Sequence, residues 1–284
     1  MGGVKSRSVV VETKHSVKDA RYMDLGLQGK RAIVTGGSRG IGRACALTLA
    51  REGVHVCIAA RTKDVLNQAL AELDATGYEG HAVAVDLTTQ SSCEKVVQET
   101  INHFGGVDIL VNNVGAARNA DILALAPELV DEALGLKTYS YLRMSQLVIP
   151  YMRGNRWGRI INIAGSAGTS PTRSNIPTGT ANITILNITR ALSDAVAGDG
   201  ILVNTVCPGL TNTGRARTQQ QVRAEREGRD VEELLQALGQ ELPAGRIAAP
   251  EEIANVVTFL ASEACSYMFG SALYMDGGKR RATP

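Results

Sequence analysis

Apolar positions along the chain follow two alternating rhythms. Short runs rich in β-branched residues read RAIVTGG (31–37), HVCIAAR (55–61), HAVAVDL (81–87), VDILVNNVG (107–115), GRIINIAG (158–165), ILVNTVCPG (201–209) and SALYMDGG (271–278). Between them lie stretches with helical spacing, among them GRACALTLAREG (42–53), DVLNQALAELDATG (64–77), SCEKVVQETINHFG (92–105) and PEEIANVVTFLASEA (250–264). Strands that alternate with helices of this length predict βαβ units and a parallel sheet. The strand runs are apolar nearly throughout, as strands buried on both faces are. The expectation is α/β: a doubly wound, seven-stranded parallel sheet with helices on both faces.

Residues 1–22, MGGVKSRSVVVETKHSVKDARY, show neither rhythm and lack the apolar stretch of a signal peptide. They read as an N-terminal arm ahead of a single domain over 23–284. MGGVKS also meets the N-myristoylation pattern at Gly2 and Ser6, a short match that leaves a plain arm as the alternative. Composition narrows the rest. With 284 residues, 44% hydrophobic and 20% charged, the chain has enough apolar surface for a sizeable core. A net charge of +2 gives no argument for nucleic acid or an anionic membrane. No apolar run approaches the ~18 residues that span a bilayer. The five cysteines are scattered with no C-x-x-C pair, which fits reduced thiols in a cytoplasmic protein. The four histidines have no spacing that promotes a triad or a metal site.

The first strand runs into GGSRGIG and then a helix. Gly36, Gly40 and Gly42 allow a tight turn and a close backbone approach to a pyrophosphate, which the N-terminus of the helix attracts; Ile41 lies among them. The second strand ends in Ala60 and Arg61, where an NAD site usually places an acid for the ribose 2′-hydroxyl. Ser38 and Arg39 add a hydroxyl and a second guanidinium, and planar guanidinium forks suit a 2′-phosphate. NADP(H) is therefore favoured over NAD(H). The alternative for Arg61 is that it opens a solvated helix.

Six motifs in order resemble the short-chain dehydrogenase/reductases, and their 3-oxoacyl-carrier-protein reductase-like branch most: TGGSRGIG, VDL at 85–87, NNVG at 112–115, INIAGSAG at 161–168, VCPGLTNT at 206–213 and YMDGG at 274–278. The resemblance covers residues 24 to 280. It implies a Rossmann-type sheet and a homotetramer or homodimer. It also implies that Asp86, with Leu87 beside it, meets the adenine. Asn112, Asn113 and Gly115 would line the cleft. Pro208, Gly209, Thr211 and Thr213 would hold the nicotinamide carboxamide and phosphates.

The family's catalytic Asn, Ser, Tyr and Lys are only partly matched. Ser166 stands at the serine. Counting back from ITRALS puts Asn182 at the lysine and Thr178 at the tyrosine; no Tyr occurs between Tyr151 and Tyr267, and no Lys between Lys137 and Lys279. Aligning LRMS on the preceding helix places Lys137 where the asparagine is expected. Lysine and asparagine thus stand exchanged and the phenol is missing. Ser166 can orient a substrate oxygen. Lys137 can stabilise or protonate it if burial lowers its pKa from ~10.4. Tyr141, four residues after Lys137, is a further candidate by helical spacing, with packing as its alternative. Tyr139 is less well placed. Thr178 and Asn182 are expected to contact cofactor or substrate.

Residues 212–245 are charged and, by resemblance, form the substrate lid, in which Arg215 and Arg217 either meet an anionic substrate or lie on a solvated helix face. The expected function is an NADP(H)-dependent interconversion of a carbonyl and an alcohol through a non-standard proton relay of Ser166 and Lys137. A non-redox or catalytically inactive NADP-binding member of the same fold is the alternative.

Overall fold

The computed structural model describes residues 23–115, 118 and 120–281. The arm predicted over 1–22, with its lipidation pattern and His15, lies outside the described residues. All seven predicted strands form: β1 (Arg31–Thr35), β2 (His55–Ala60), β3 (Gly80–Ala84), β4 (Ile109–Asn112), β5 (Gly158–Ile163), β6 (Ile201–Pro208) and β7 (Ala272–Met275). They make one parallel sheet in the order β3-β2-β1-β4-β5-β6-β7, the Rossmann-type arrangement expected. The strand order reverses between β1 and β4, so the loops leaving these two strands diverge and open a crevice at their C-terminal ends.

Helices α1 (Gly40–Arg51), α2 (Lys63–Asp74) and α3 (Gln90–Phe104) connect the first four strands. Helices α4 (Glu128–Ala133) and α5 (Ser140–Asn155) precede β5, α6 (Ile176–Val196) follows it, and α7 (Gly214–Glu227), α8 (Val231–Gln240) and α9 (Pro250–Ala261) lie between β6 and β7. Alternation along β1 separates two cores. Ala32 and Val34 pack with α1 and α9, whereas Ile33 packs with α3 and α5. Among the described residues, no helix is long and apolar enough to cross a membrane.

Two polar devices hold the sheet in register. At the N-terminal edge, Asp108 accepts from Arg31 Nε at 2.7 Å, Nη2 at 2.8 Å and the backbone N–H at 2.9 Å, tying β1 to the entry of β4. Deeper in, Asn112 donates to Asn162 (2.9 Å), Asn162 donates to Thr189 (2.9 Å), and Thr189 meets Thr205 (2.6 Å). This chain of buried groups crosses β4, β5, α6 and β6. Each of these bonds joins buried groups, so a slip of one strand against the next would break them; Asn112 Oδ1 itself takes no bond among the described residues. His81 and His103 stack at 4.4 Å beside Glu99 and Glu79 on the edge of the sheet opposite the crevice.

Asp108 is almost fully buried, so removing its charge strands the Arg31 guanidinium. Asp108→Asn is expected to lower stability by about 3 kcal/mol, read as a fall in the urea unfolding midpoint. An unchanged midpoint would remove the pair from the account of the fold.

Candidate active site

The crevice floor is built by the glycine loop between β1 and α1. Gly36 and Gly40 have φ of +65° and +53°, left-handed values that a Cβ disfavours. A Cβ on Gly42 would lie 2.3 Å from the Gly36 carbonyl oxygen, so this glycine serves close packing of helix on strand. Asn113 closes the loop from β4: its side-chain amide donates to Thr35 O (3.0 Å) and Gly36 O (3.3 Å). Arg39 precedes α1 in extended backbone, and no side chain caps the helix. The first-turn N–H groups are thereby left for an anion. Ile41, in that turn, packs on the core.

Arg61 directly follows β2 and Arg39 stands directly before α1, and both are exposed. Neither has a carboxylate at ion-pair distance among the described residues. Ser38 lies beside them, partly buried. Asp86 is exposed and accepts from the Thr88 N–H, while Leu87 is buried in the core with its carbonyl facing Cys93 Sγ. Leu87 can therefore offer a ligand only backbone. Asn112 is corrected: it is fully buried in the network between strands, and Asn113 and Gly115 are the residues of NNVG at the crevice. On the far wall, Gly209 donates to Met275 O, Thr211 is buried with its hydroxyl on Gly209 O, and Pro208 ends β6. Thr213 caps α7 through Ala216 N–H, and its side chain lies 3.2 Å from where a Cβ on Gly40 would be. Helix α7 therefore starts against the glycine loop.

Lys137 and Asn182 meet directly. Lys137 Nζ donates to Asn182 Oδ1 at 2.6 Å and to the carbonyl of Ala164, at the end of β5, at 2.5 Å. Lys137 sits in a π-helical turn, Leu134–Tyr139, between α4 and α5. Such a turn carries one extra residue within a helix and recurs at functional sites. Ser140 Oγ steadies it by donating to the Leu136 and Lys137 carbonyls. Asn182 is buried on α6, and Gly165 leaves room for its amide: a Cβ there would lie 2.7 Å from Nδ2. Burial of the ammonium, with the nearby Arg215 charge second, lowers the Lys137 pKa from 10.5 to about 7.

Ser166 opens the short turn after Ala164 and Gly165; it is partly exposed, and its hydroxyl takes no bond from the described residues. Thr178 lies one turn before Asn182 on α6, partly buried. Tyr141 is corrected. Its ring lies 5.9 Å from Lys137 Nζ, as the spacing predicts, but the residue is buried and donates its hydroxyl to Ile163 O at 3.0 Å. Burial also pushes this phenol well above its ordinary pKa. Tyr139 is exposed beside Arg143.

Two contacts were not legible in the sequence. One is the Ala164 carbonyl, since a backbone acceptor has no residue signature. The other is Arg215, whose Nη1 donates to Gly115 O at 2.5 Å, across the crevice. Arg217, in contrast, pairs with Glu232 and ties α7 to α8.

A family model described as enoyl-(acyl carrier protein) reductase matches residues 36–280, from the glycine loop to the end of the sheet. The chain belongs to the short-chain dehydrogenase/reductase family. This short-chain dehydrogenase/reductase is 35% identical over 260 residues to the 3-oxoacyl-[acyl-carrier-protein] reductase of Aquifex aeolicus, covering 90% of this chain and 99% of the relative. It is 35% identical over 254 residues to the corresponding Escherichia coli reductase, covering 89% and 98%. Among solved structures it is similar to L-sorbose reductase from Gluconobacter frateurii complexed with NADPH and L-sorbose, with a TM-score of 0.89 and 34% identity over 92% of this chain and 100% of that one.

Tyr141→Phe leaves the buried Ile163 carbonyl unpaired. It is expected to cost about 1–3 kcal/mol of stability while turnover per folded molecule stays within about threefold, a shift below the 1.4 kcal/mol that marks a tenfold change. Loss of turnover with stability intact would return the phenol to the chemistry.

Proposed function

We propose that this chain is an NADP(H)-dependent oxidoreductase that interconverts a carbonyl and an alcohol, with Lys137 handling the proton in place of the family's tyrosine. The observation that carries the reading is the Lys137 ammonium held between Asn182 Oδ1 and Ala164 O. An ammonium has three N–H groups, and these two acceptors leave one for a substrate oxygen. With a pKa near neutrality, the group can give that proton and regain it without a large driving force. Its charge also stabilises an alkoxide as it forms.

The residues at the crevice fit a dinucleotide. Gly36, Gly40 and Gly42 keep the loop low, the uncapped α1 N-terminus offers N–H groups, and Arg39 with Arg61 offers exposed cations. When bound, such a cofactor supplies or accepts the hydride. The chain's own residues then do the rest. Ser166 donates its hydroxyl to orient the substrate oxygen. Lys137 protonates that oxygen in reduction or receives its proton in oxidation. Asn182 and Ala164 aim the Lys137 head, and Thr178 lines the same helix face. Gly209, Thr211 and Thr213 would hold the nicotinamide end. The NADPH complex of the sorbose reductase supports the choice of cofactor.

The direction of the pH effect follows from the proton's path. Reduction needs the ammonium, so its single-turnover rate is expected to fall as pH rises through about 7. Oxidation needs the free amine, so its rate rises over the same interval. Lys137→Met should lower turnover by about 10²–10⁴-fold and flatten both profiles while NADPH still binds. Equal activity in the variant would remove Lys137 from the mechanism.

For the cofactor, Arg61→Ala should weaken NADPH about tenfold or more, the scale of one lost charge-assisted hydrogen bond, and leave NADH nearly unchanged. Fluorescence titration of both cofactors reads this directly. An equal loss for both would count against a 2′-phosphate contact.

A further inference from the structure

The lid carries five arginines, and four of them face a glutamate: Arg217 pairs with Glu232, and Arg223, Arg226 and Arg229 all lie near Glu227. Arg215 is different. Among the described residues it has no acid partner, and its one bond is to the neutral carbonyl of Gly115. That bond uses one of the five N–H donors a guanidinium carries.

Its placement is set by the cleft and not by the outer surface of the lid. Thr213 caps the helix and rests against Gly40, so the first turn of α7 is anchored at the crevice rim. Gly115 lies between two cations. Its carbonyl oxygen takes the Arg215 bond, and on its α-carbon side a Cβ would lie 3.3 Å from Lys137 Cδ. Lys137 likewise has only neutral acceptors. Arg215 is itself exposed at the rim, yet its charge acts on the more buried Lys137; with no counter-charge among the described residues the two repel, and an anion placed between them relieves that cost.

We propose that Arg215 is the receptor for a carboxylate on the substrate, so that the preferred substrates are oxo acids and their hydroxy-acid partners. This rests on the reading of the cleft given above and adds the substrate class. A planar carboxylate matches the guanidinium fork bidentately. Its charge also favours the protonated form of Lys137, so binding an acid restores the proton donor at the moment it is needed. The carbonyl of Gly115 holds the arginine in place until the substrate takes over its donors.

The test uses pyruvate, 3-oxobutanoate and 4-oxopentanoate, each against its methyl ester. Calorimetric binding to the NADP⁺ complex is measured alongside steady-state reduction with NADPH, in the wild type, Arg215→Ala and Arg215→Lys. At least one acid is expected to bind about tenfold or more tightly than its ester, the scale of a charged hydrogen bond. Arg215→Ala should erase that preference, Arg215→Lys should keep part of it, and NADPH affinity should be unchanged in both. The apparent pKa of reduction should lie higher for the acid than for the ester.

Equal binding of acid and ester, or no binding of any acid, overturns the proposal. So does an Arg215→Ala variant that keeps the preference. A variant that weakens NADPH and leaves the acid preference in place assigns Arg215 to the cofactor's phosphates and also overturns it. Acid-selective, Arg215-dependent binding without turnover would uphold the carboxylate receptor while sinking the oxidoreductase reading. Turnover of neutral carbonyls with no acid preference would do the reverse.

Discussion

The site depends on one ammonium group held by two neutral oxygens. Lys137 Nζ reaches Asn182 on α6 and Ala164 at the end of β5, so a single side chain joins the helix before β5 to the strand and helix after it. No carboxylate neutralises this cation among the described residues. Its charge is tolerable only because it is lowered in pKa and hydrogen-bonded, the condition under which a buried ionisable group survives in a core. The same condition makes it chemically useful, since a lysine that titrates near neutrality can both give and take a proton.

The surrounding structure keeps that group in place. The π-helical turn fixes where Lys137 leaves its helix, and Tyr141 beneath it is locked to the Ile163 carbonyl. Asn112, Asn162, Thr189 and Thr205 bind the strands to α6 from within, so α6 cannot shift Asn182 without breaking buried hydrogen bonds. On the other side, Gly115 leaves room for the lysine stem, and the glycine loop and Thr213 bring α7 down to the same rim. Sheet topology, loop glycines and Lys137 thus converge on one crevice.

The fold was legible because its signal is long and periodic. Seven β-branched runs, each followed by a turn or helix signal, leave few topologies, and all seven strands form where they were read. Lys137 and Asn182 were singled out by counting from flanking motifs, although only the coordinates bring the two side chains into contact. Tyr141 shows the limit of counting. Helical spacing placed its ring near Lys137, but the direction of a hydroxyl is decided by the nearest unpaired carbonyl, which no periodicity reveals. Asn112 fails similarly: a motif names a strand end, yet alternation turns one neighbour into the core and the next into the crevice. Arg215 lay in a charged segment that read mainly as solvated surface, and its reach to Gly115 depends on how α7 is capped.

The claim that Lys137 replaces the phenol is tested most directly by titrating that one side chain. NMR of the protein labelled with ¹³C at lysine Cε, with the Lys137 resonance assigned through Lys137→Met, follows its protonation independently of any substrate. The account predicts a midpoint near 7, well separated from the other lysines. A midpoint near the ordinary lysine value of ~10.4 would leave the ammonium unable to release its proton at neutral pH and would contradict the proposed relay.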